Sequence, residues 1–98
     1  MILDDLQALI FDRKNHPQAI SYVSSLLAKG KDETLKKIGE EAVEVIVASK
    51  NGDRQQVIHE LADLWFHCMV LMSQDGVSHK DVFSELERRF NKKEKPNE

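Results

Sequence analysis

Apolar residues recur at three- and four-residue intervals along most of this chain, and the interruptions fall at turn-forming residues. Leu3, Leu6, Leu9 and Ile10 share one face of a helix predicted over 2–14. Pro17 disfavours helical backbone at His16 and ends that helix. Ser21 is the expected N-cap of a short helix over 22–29, closed by Gly30. Asp32 opens a long helix to about residue 50, with Asn51 and Gly52 at its end. Asp53 caps a fourth, running to about residue 74 and stopped by Gly76. Ser78 and Asp81 form a capping box for a last helix to about residue 91, with Val82, Phe83, Leu86 and Phe90 inward. The pattern predicts an all-α fold of about five helices, with 32–50 and 53–74 as a central antiparallel hairpin.

The two hairpin helices carry more apolar residues than one face can hold. Leu35, Ile38, Ala42, Val45 and Ile46 form the expected core stripe of the first, with Val43 and Val47 a second strip beyond it. In the second, Val57, Leu61, Leu64, Trp65, Cys68 and Met72 are the expected core, and Phe66, Met69 and Val70 leave little room for a polar face. Three short helices are too few to cover this surface. The bundle is therefore expected to be completed by dimerisation, with Val43, Val47, Phe66 and Val70 at the interface.

Length and composition narrow the class. A chain of 98 residues forms one domain, expected over 1–91, and the tail 92–98 has no apolar residue and is expected to be disordered. A formal charge of −3 argues against nonspecific nucleic-acid binding, which usually shows a basic excess. Cys68 has no partner for an internal disulfide and fits a small buried hydrophobe in a reducing compartment. Acids occupy the N-terminal stretch where a signal peptide has its basic region, and no apolar run reaches membrane-spanning length. A cytoplasmic protein with no membrane partner is expected.

The polar exceptions on the hairpin are acidic. Glu41 and Glu44 lie side by side at the edge of an apolar stripe, with Glu40 rotated toward solvent. Glu60, Asp63 and His67, at i, i+3 and i+7, are the only narrow polar strip on the fourth helix. Folding at 51–53 brings the E-x-x-E and E-x-x-D pairs to similar heights, roughly 12–15 Å from the turn at 1.5 Å rise per residue. One such pair on a surface helix usually signifies only solvation. Two pairs facing each other beside apolar surface repel strongly unless some are protonated or a cation sits between them. Neither pair carries histidine at the E-x-x-H spacing of di-iron bundles, so all-oxygen ligation points to a hard ion, Mg²⁺ with Mn²⁺ as substitute, and hence to a phosphorylated substrate.

The words "EEAVE" and "ELAD" resemble the E-x-x-E…E-x-x-D signature of the all-α nucleoside triphosphate pyrophosphohydrolases, the MazG-like superfamily. With "SYVSSLLAKG", "KKIGEEAVEV", "HELADLWFHCMVLM" and "LERR", residues 3–90 resemble the phosphoribosyl-ATP pyrophosphatase family of histidine biosynthesis. One departure is Val23, where the family pattern has Thr. No cyclohydrolase segment, to which such enzymes are often fused, is recognisable in these 98 residues. The resemblance implies Mg²⁺-dependent hydrolysis of phosphoribosyl-ATP between the α and β phosphates, giving phosphoribosyl-AMP and pyrophosphate. It implies Glu41, Glu44, Glu60 and Asp63 as metal ligands, with Glu41 or Glu40 as the base that takes the water's proton.

The remaining candidates are cations and hydrogen-bonding groups. Lys37 lies one turn before the Glu41/Glu44 pair and suits phosphate contact, with Lys36 further round. Arg13, Lys14, Arg88 and Arg89 end helices, where pairing with the helix dipole is the plainer role for each. Ser21, Tyr22 and His67 are candidate substrate contacts, His67 also as a partner of Asp63; a cap, a core aromatic and a structural hydrogen bond are their bland alternatives. Two other functions stay open: a housekeeping pyrophosphohydrolase of noncanonical nucleotides, and a non-catalytic helical interaction module.

Overall fold

The computed structural model describes residues 1–92, and the expected tail falls almost wholly outside them. Five helices follow one another: α1 (Ile2–Asn15), α2 (Tyr22–Lys29), α3 (Lys31–Lys50), α4 (Arg54–Asp75) and α5 (His79–Asn91). No strand occurs among the described residues. The all-α expectation and the α3–α4 hairpin hold, and that hairpin is the most extensive helix–helix contact in the chain. Its turn places Gly52 at φ 69°.

The caps form as the sequence predicts. Ser21 accepts from the Ser24 N–H at 3.1 Å and Asp53 from the Gln56 N–H at 3.1 Å. Gly76 ends α4 in the left-handed region, and Ser78 with Asp81 completes the capping box of α5. The start of α3 differs by one residue: Gly30 both closes α2 and precedes Lys31, and Asp32 lies in the first turn, where its charge complements the helix dipole.

The core lies on a different side of the hairpin from the one expected. Ile10, Val23, Leu26, Met69 and Val70 are the buried cluster, with Leu3, Leu6, Leu27, Phe66 and Met72 packed against it. The face of α4 that turns inward is thus Phe66, Met69 and Val70, not the stripe through Leu61 and Trp65, which is 38% and 59% exposed at those two residues. Leu35, Ile46, Val82, Leu86 and Phe90 are likewise exposed rather than inward. Of the four expected interface residues, Val43 and Val47 are exposed, but Val70 is fully buried and Phe66 packs on the core, so those two are corrected. Periodicity cannot choose a face on a helix that is apolar nearly all round.

One buried polar contact ties the last helix to the first. His79, 2% exposed, has Nε2 2.8 Å from Asp4 Oδ1 and Nδ1 3.1 Å from Gln7 Oε1, with its ring edge-on to Phe83. The hydrogen bond from His79 holds the Asp4 carboxyl below its usual range.

Candidate active site

The 51–53 turn sets the register of α3 against α4, and that register brings Glu41 and Glu44 against Glu60, while Asp63 meets Glu60 on its other side. Carboxylate oxygens of Glu41, Glu44 and Glu60 all lie within 4.8 Å of one another. A second triad, His59, Glu60 and Asp63, meets the same distance, so Glu60 belongs to both. Glu60 is only 5% exposed, Glu41 and Asp63 are half-buried, and Glu44 is exposed at the rim. A groove of about 370 Å³ opens beside them, lined by Glu44, Val47, Ala48, Asn51, Gln56 and Glu60 among others.

Such crowding shows in the protonation of the group. The hydrogen bond with Glu60 raises Glu44 to about 7, helped by Glu41. Burial raises the Glu41 carboxyl, and Glu60 adds to it. Glu60 is shifted down, first by its hydrogen bond with Glu44. Taking up a proton relieves part of the repulsion among the three carboxylates. Because the folded Glu44 carboxyl titrates above its unfolded value of 4.5, the native state binds the extra proton between those pH values. Stability of the metal-free protein is therefore expected to fall as pH rises from about 5 to 8. Thermal melts across that range check this; a melting temperature that rises through the window contradicts it.

Gln56 is a member of the site that spacing alone does not reveal. Its side-chain N–H donates to Glu60 Oε1 at 2.6 Å, one turn earlier on α4. That bond fixes the carboxylate while Glu60 Oε2 and Glu41 Oε2 remain buried without hydrogen-bond partners. Buried acceptors left unpaired cost about 1–3 kcal/mol each, more when charged. A divalent cation would satisfy both oxygens at once, and the donor set fits a hard ion. Gln56→Ala is expected to weaken Mg²⁺ binding by about 10- to 100-fold, the usual effect of removing an outer partner of a metal ligand; unchanged affinity by calorimetry would contradict it.

His67 and Tyr22 brace the neighbouring turn. His67 Nδ1 lies 2.8 Å from the Asp63 carbonyl, which can only accept, so this nitrogen carries the proton. In the neutral ring Nε2 is then the acceptor for the Tyr22 hydroxyl at 2.9 Å. With its ring buried against Phe66 and both nitrogens occupied, His67 holds the backbone at Asp63 rather than projecting into the groove. Ser21 Oγ accepts the α2 cap hydrogen bond from the Ser24 N–H.

The expected cations are only partly gathered here. Lys37 lies 3.9 Å from Glu40, and the exposed Glu40 stands outside both triads. Lys36 is exposed on the same helix. Arg13 pairs with Asp12, and Lys14 donates to the Ser73 carbonyl at 3.2 Å; both line a groove with Ser24, Lys31 and Gln74 toward the far end of the hairpin. Arg88 and Arg89 grip Glu85 at 2.6 and 2.9 Å and hold its carboxyl down at about 2. Neither Arg13 nor the α5 arginines line the groove beside the acids. His59, which spacing reasoning overlooked, does stand at the cluster, its Nε2 3.3 Å from Asp63 Oδ2. The available signal was its place four residues before Asp63.

Comparison with known proteins places the whole span 3–90 in one family. The chain is 48% identical over 89 residues to the phosphoribosyl-ATP pyrophosphatase of Methylococcus capsulatus, covering 91% of this chain and 85% of that one. It is 46% identical to the phosphoribosyl-ATP pyrophosphatase of Geotalea daltonii, over 91% of this chain and 84% of the other. It is also 47% identical to the histidine biosynthesis bifunctional protein HisIE of Oceanobacillus iheyensis, covering 95% of this chain and 43% of that longer protein. The profile of the phosphoribosyl-ATP pyrophosphohydrolase family matches residues 3–90, and over that whole span, acidic cluster included, the chain belongs to this family.

Proposed function

We infer that this chain hydrolyses phosphoribosyl-ATP to phosphoribosyl-AMP and pyrophosphate in histidine biosynthesis, and that it does so at the acidic cluster with Mg²⁺. The observation that carries the site assignment is the meeting of Glu41, Glu44 and Glu60 within 4.8 Å, with two buried oxygens unpartnered. Glu41, Glu44, Glu60 and Asp63 would hold the ion, and Mn²⁺ could replace it. Bound there, Mg²⁺ supplies charge neutralisation for the phosphates and an acidified water.

The chain's own groups do the rest. Gln56 and the cross-helix packing fix Glu60, and the His67–Tyr22 brace fixes the turn that carries Asp63. Of the two candidate bases, Glu41 sits within the cluster, whereas Glu40 faces solvent beside Lys37. We assign to Glu41 the proton released as the water oxygen bonds to phosphorus and the α–β bridging oxygen departs with its phosphate. Lys37 and Lys36 are the nearest candidates for phosphate contact; Arg13, Ser21, Tyr22, Arg88 and Arg89 are retained for the base and ribose phosphate. The test is turnover of phosphoribosyl-ATP by the purified chain: pyrophosphate appears with Mg²⁺ and stops with EDTA. No product under those conditions overturns the reading.

The same proposal includes a cytoplasmic homodimer. No helix among the described residues is long and apolar enough to cross a membrane. Leu35, Val43, Ile46 and Val47 on α3, with Leu61 and Trp65 on α4 and Leu86 and Phe90 on α5, leave apolar surface on three helices uncovered. The radius of gyration, 15.1 Å, exceeds the roughly 13 Å of a compact chain this long. A second copy covering these faces explains both. Light scattering at micromolar concentration is expected to give twice the chain mass of 11.3 kDa, and a monomer would contradict it.

A further inference from the structure

We propose that His59 makes the Glu60–Asp63 side of the acidic cluster a distinct ion subsite, one with a nitrogen ligand that favours Mn²⁺, Co²⁺ or Zn²⁺ over Mg²⁺. It rests on the metal reading above and adds a donor that the four-carboxylate motif does not contain. His59 Nε2 is 3.3 Å from Asp63 Oδ2 and 4.0 Å from Glu60 Oε1. Ligand atoms about 2.1 Å from a shared ion stand roughly 3–3.4 Å apart, so the first pair already has that spacing and the second needs a small rotamer adjustment. His59 and Asp63 are one turn apart on α4, so the helix itself holds them on one side.

A second observation points to an ion at Glu60 itself. Glu60, 5% exposed, keeps Oε2 buried and without a partner, and it is the residue common to both triads. Its other oxygen, Oε1, already accepts from Gln56 and lies nearest His59. A carboxylate so placed can bridge two ions, one among Glu41, Glu44 and Glu60 and one among His59, Glu60 and Asp63. The two subsites differ in chemistry. The first is all oxygen, which suits Mg²⁺; the second includes an imidazole, which suits the later first-row divalent ions. His59 is 64% exposed at its side chain, so an ion reaches it from solvent.

The plainer alternative is an exposed ion pair between His59 and Asp63, and metal titration separates the two. The full chain, freed of metal, is titrated with Co²⁺ and separately with Mg²⁺, by calorimetry and by the visible Co²⁺ absorption. His59→Ala is expected to lower Co²⁺ affinity at least about 10-fold and to change the cobalt spectrum, while Mg²⁺ affinity moves by less than about twofold. His59→Lys places a cation beside Asp63 but offers no ligand at neutral pH, and is expected to behave as His59→Ala. Equal Co²⁺ affinity and spectrum in wild type and both variants would overturn the subsite and leave the Mg²⁺ reading intact. Failure of wild type to bind either ion would overturn both, and Glu44→Gln, which is expected to weaken Mg²⁺ binding and spare His59, reports on the first subsite separately.

Discussion

Glu60→Gln is expected to abolish pyrophosphate release almost completely while leaving the metal-free protein as stable as wild type or more so. Glu60 is the most buried acid of the cluster, and it is shared by both candidate ion triads. Loss of an outer partner of a metal ligand costs about 10- to 100-fold, so loss of the shared ligand should exceed about 100-fold in kcat/KM. The amide keeps the shape of the carboxylate and can still accept from Gln56. It removes the carboxylate whose hydrogen bond most strongly raises Glu44, so Glu44 should titrate nearer its ordinary value. The fall in metal-free stability between about pH 5 and 8 should flatten accordingly. Wild type should gain about 2.7 kcal/mol of stability at a hundredfold excess of Mg²⁺ over Kd, read as a higher melting temperature, and the variant should not. Circular dichroism separates the outcomes: inactivity caused only by unfolding would count against the metal role, as would near-wild-type turnover.

Substrate discrimination is the second large effect. Cleavage of phosphoribosyl-ATP is expected to exceed that of ATP, dATP or dUTP by on the order of 10⁴ in kcat/KM, because donors that meet the extra ribose phosphate are left unpaired by a plain nucleotide. The structure changes which residues can supply those donors. Tyr22 donates its hydroxyl to His67, and both nitrogens of His67 are engaged within the chain. Lys36 and Lys37 carry more of the burden in consequence. A substrate panel with pyrophosphate detection measures the ratio. Comparable rates for ATP or dUTP would return the housekeeping alternative.

What the sequence revealed, and what it hid, divides along local and tertiary lines. The caps at Ser21, Asp53 and Ser78 were legible because each is satisfied within three residues of its own position. The acidic pairs were legible because a short turn at 51–53 fixes which turns of α3 and α4 face each other, and helical periodicity does the rest. The core face of α4 was not: Trp65 and Val70 both read as buried positions, and only docking of α1 and α2 decides that Val70 goes inward. His79 was missed for the same reason, since its partners Asp4 and Gln7 are 75 and 72 residues away. Gln56 and His59 lie outside the E-x-x-D spacing and belong to the site only because Glu60 turns toward them.

The metal centre can be tested most directly by anomalous diffraction from crystals of the full chain grown with Mn²⁺. The predicted result is an anomalous peak among the carboxylates of Glu41, Glu44, Glu60 and Asp63, absent from crystals of Glu60→Gln. An ion bound elsewhere on the chain, with these four carboxylates free of it in a preparation that turns over phosphoribosyl-ATP, would contradict it.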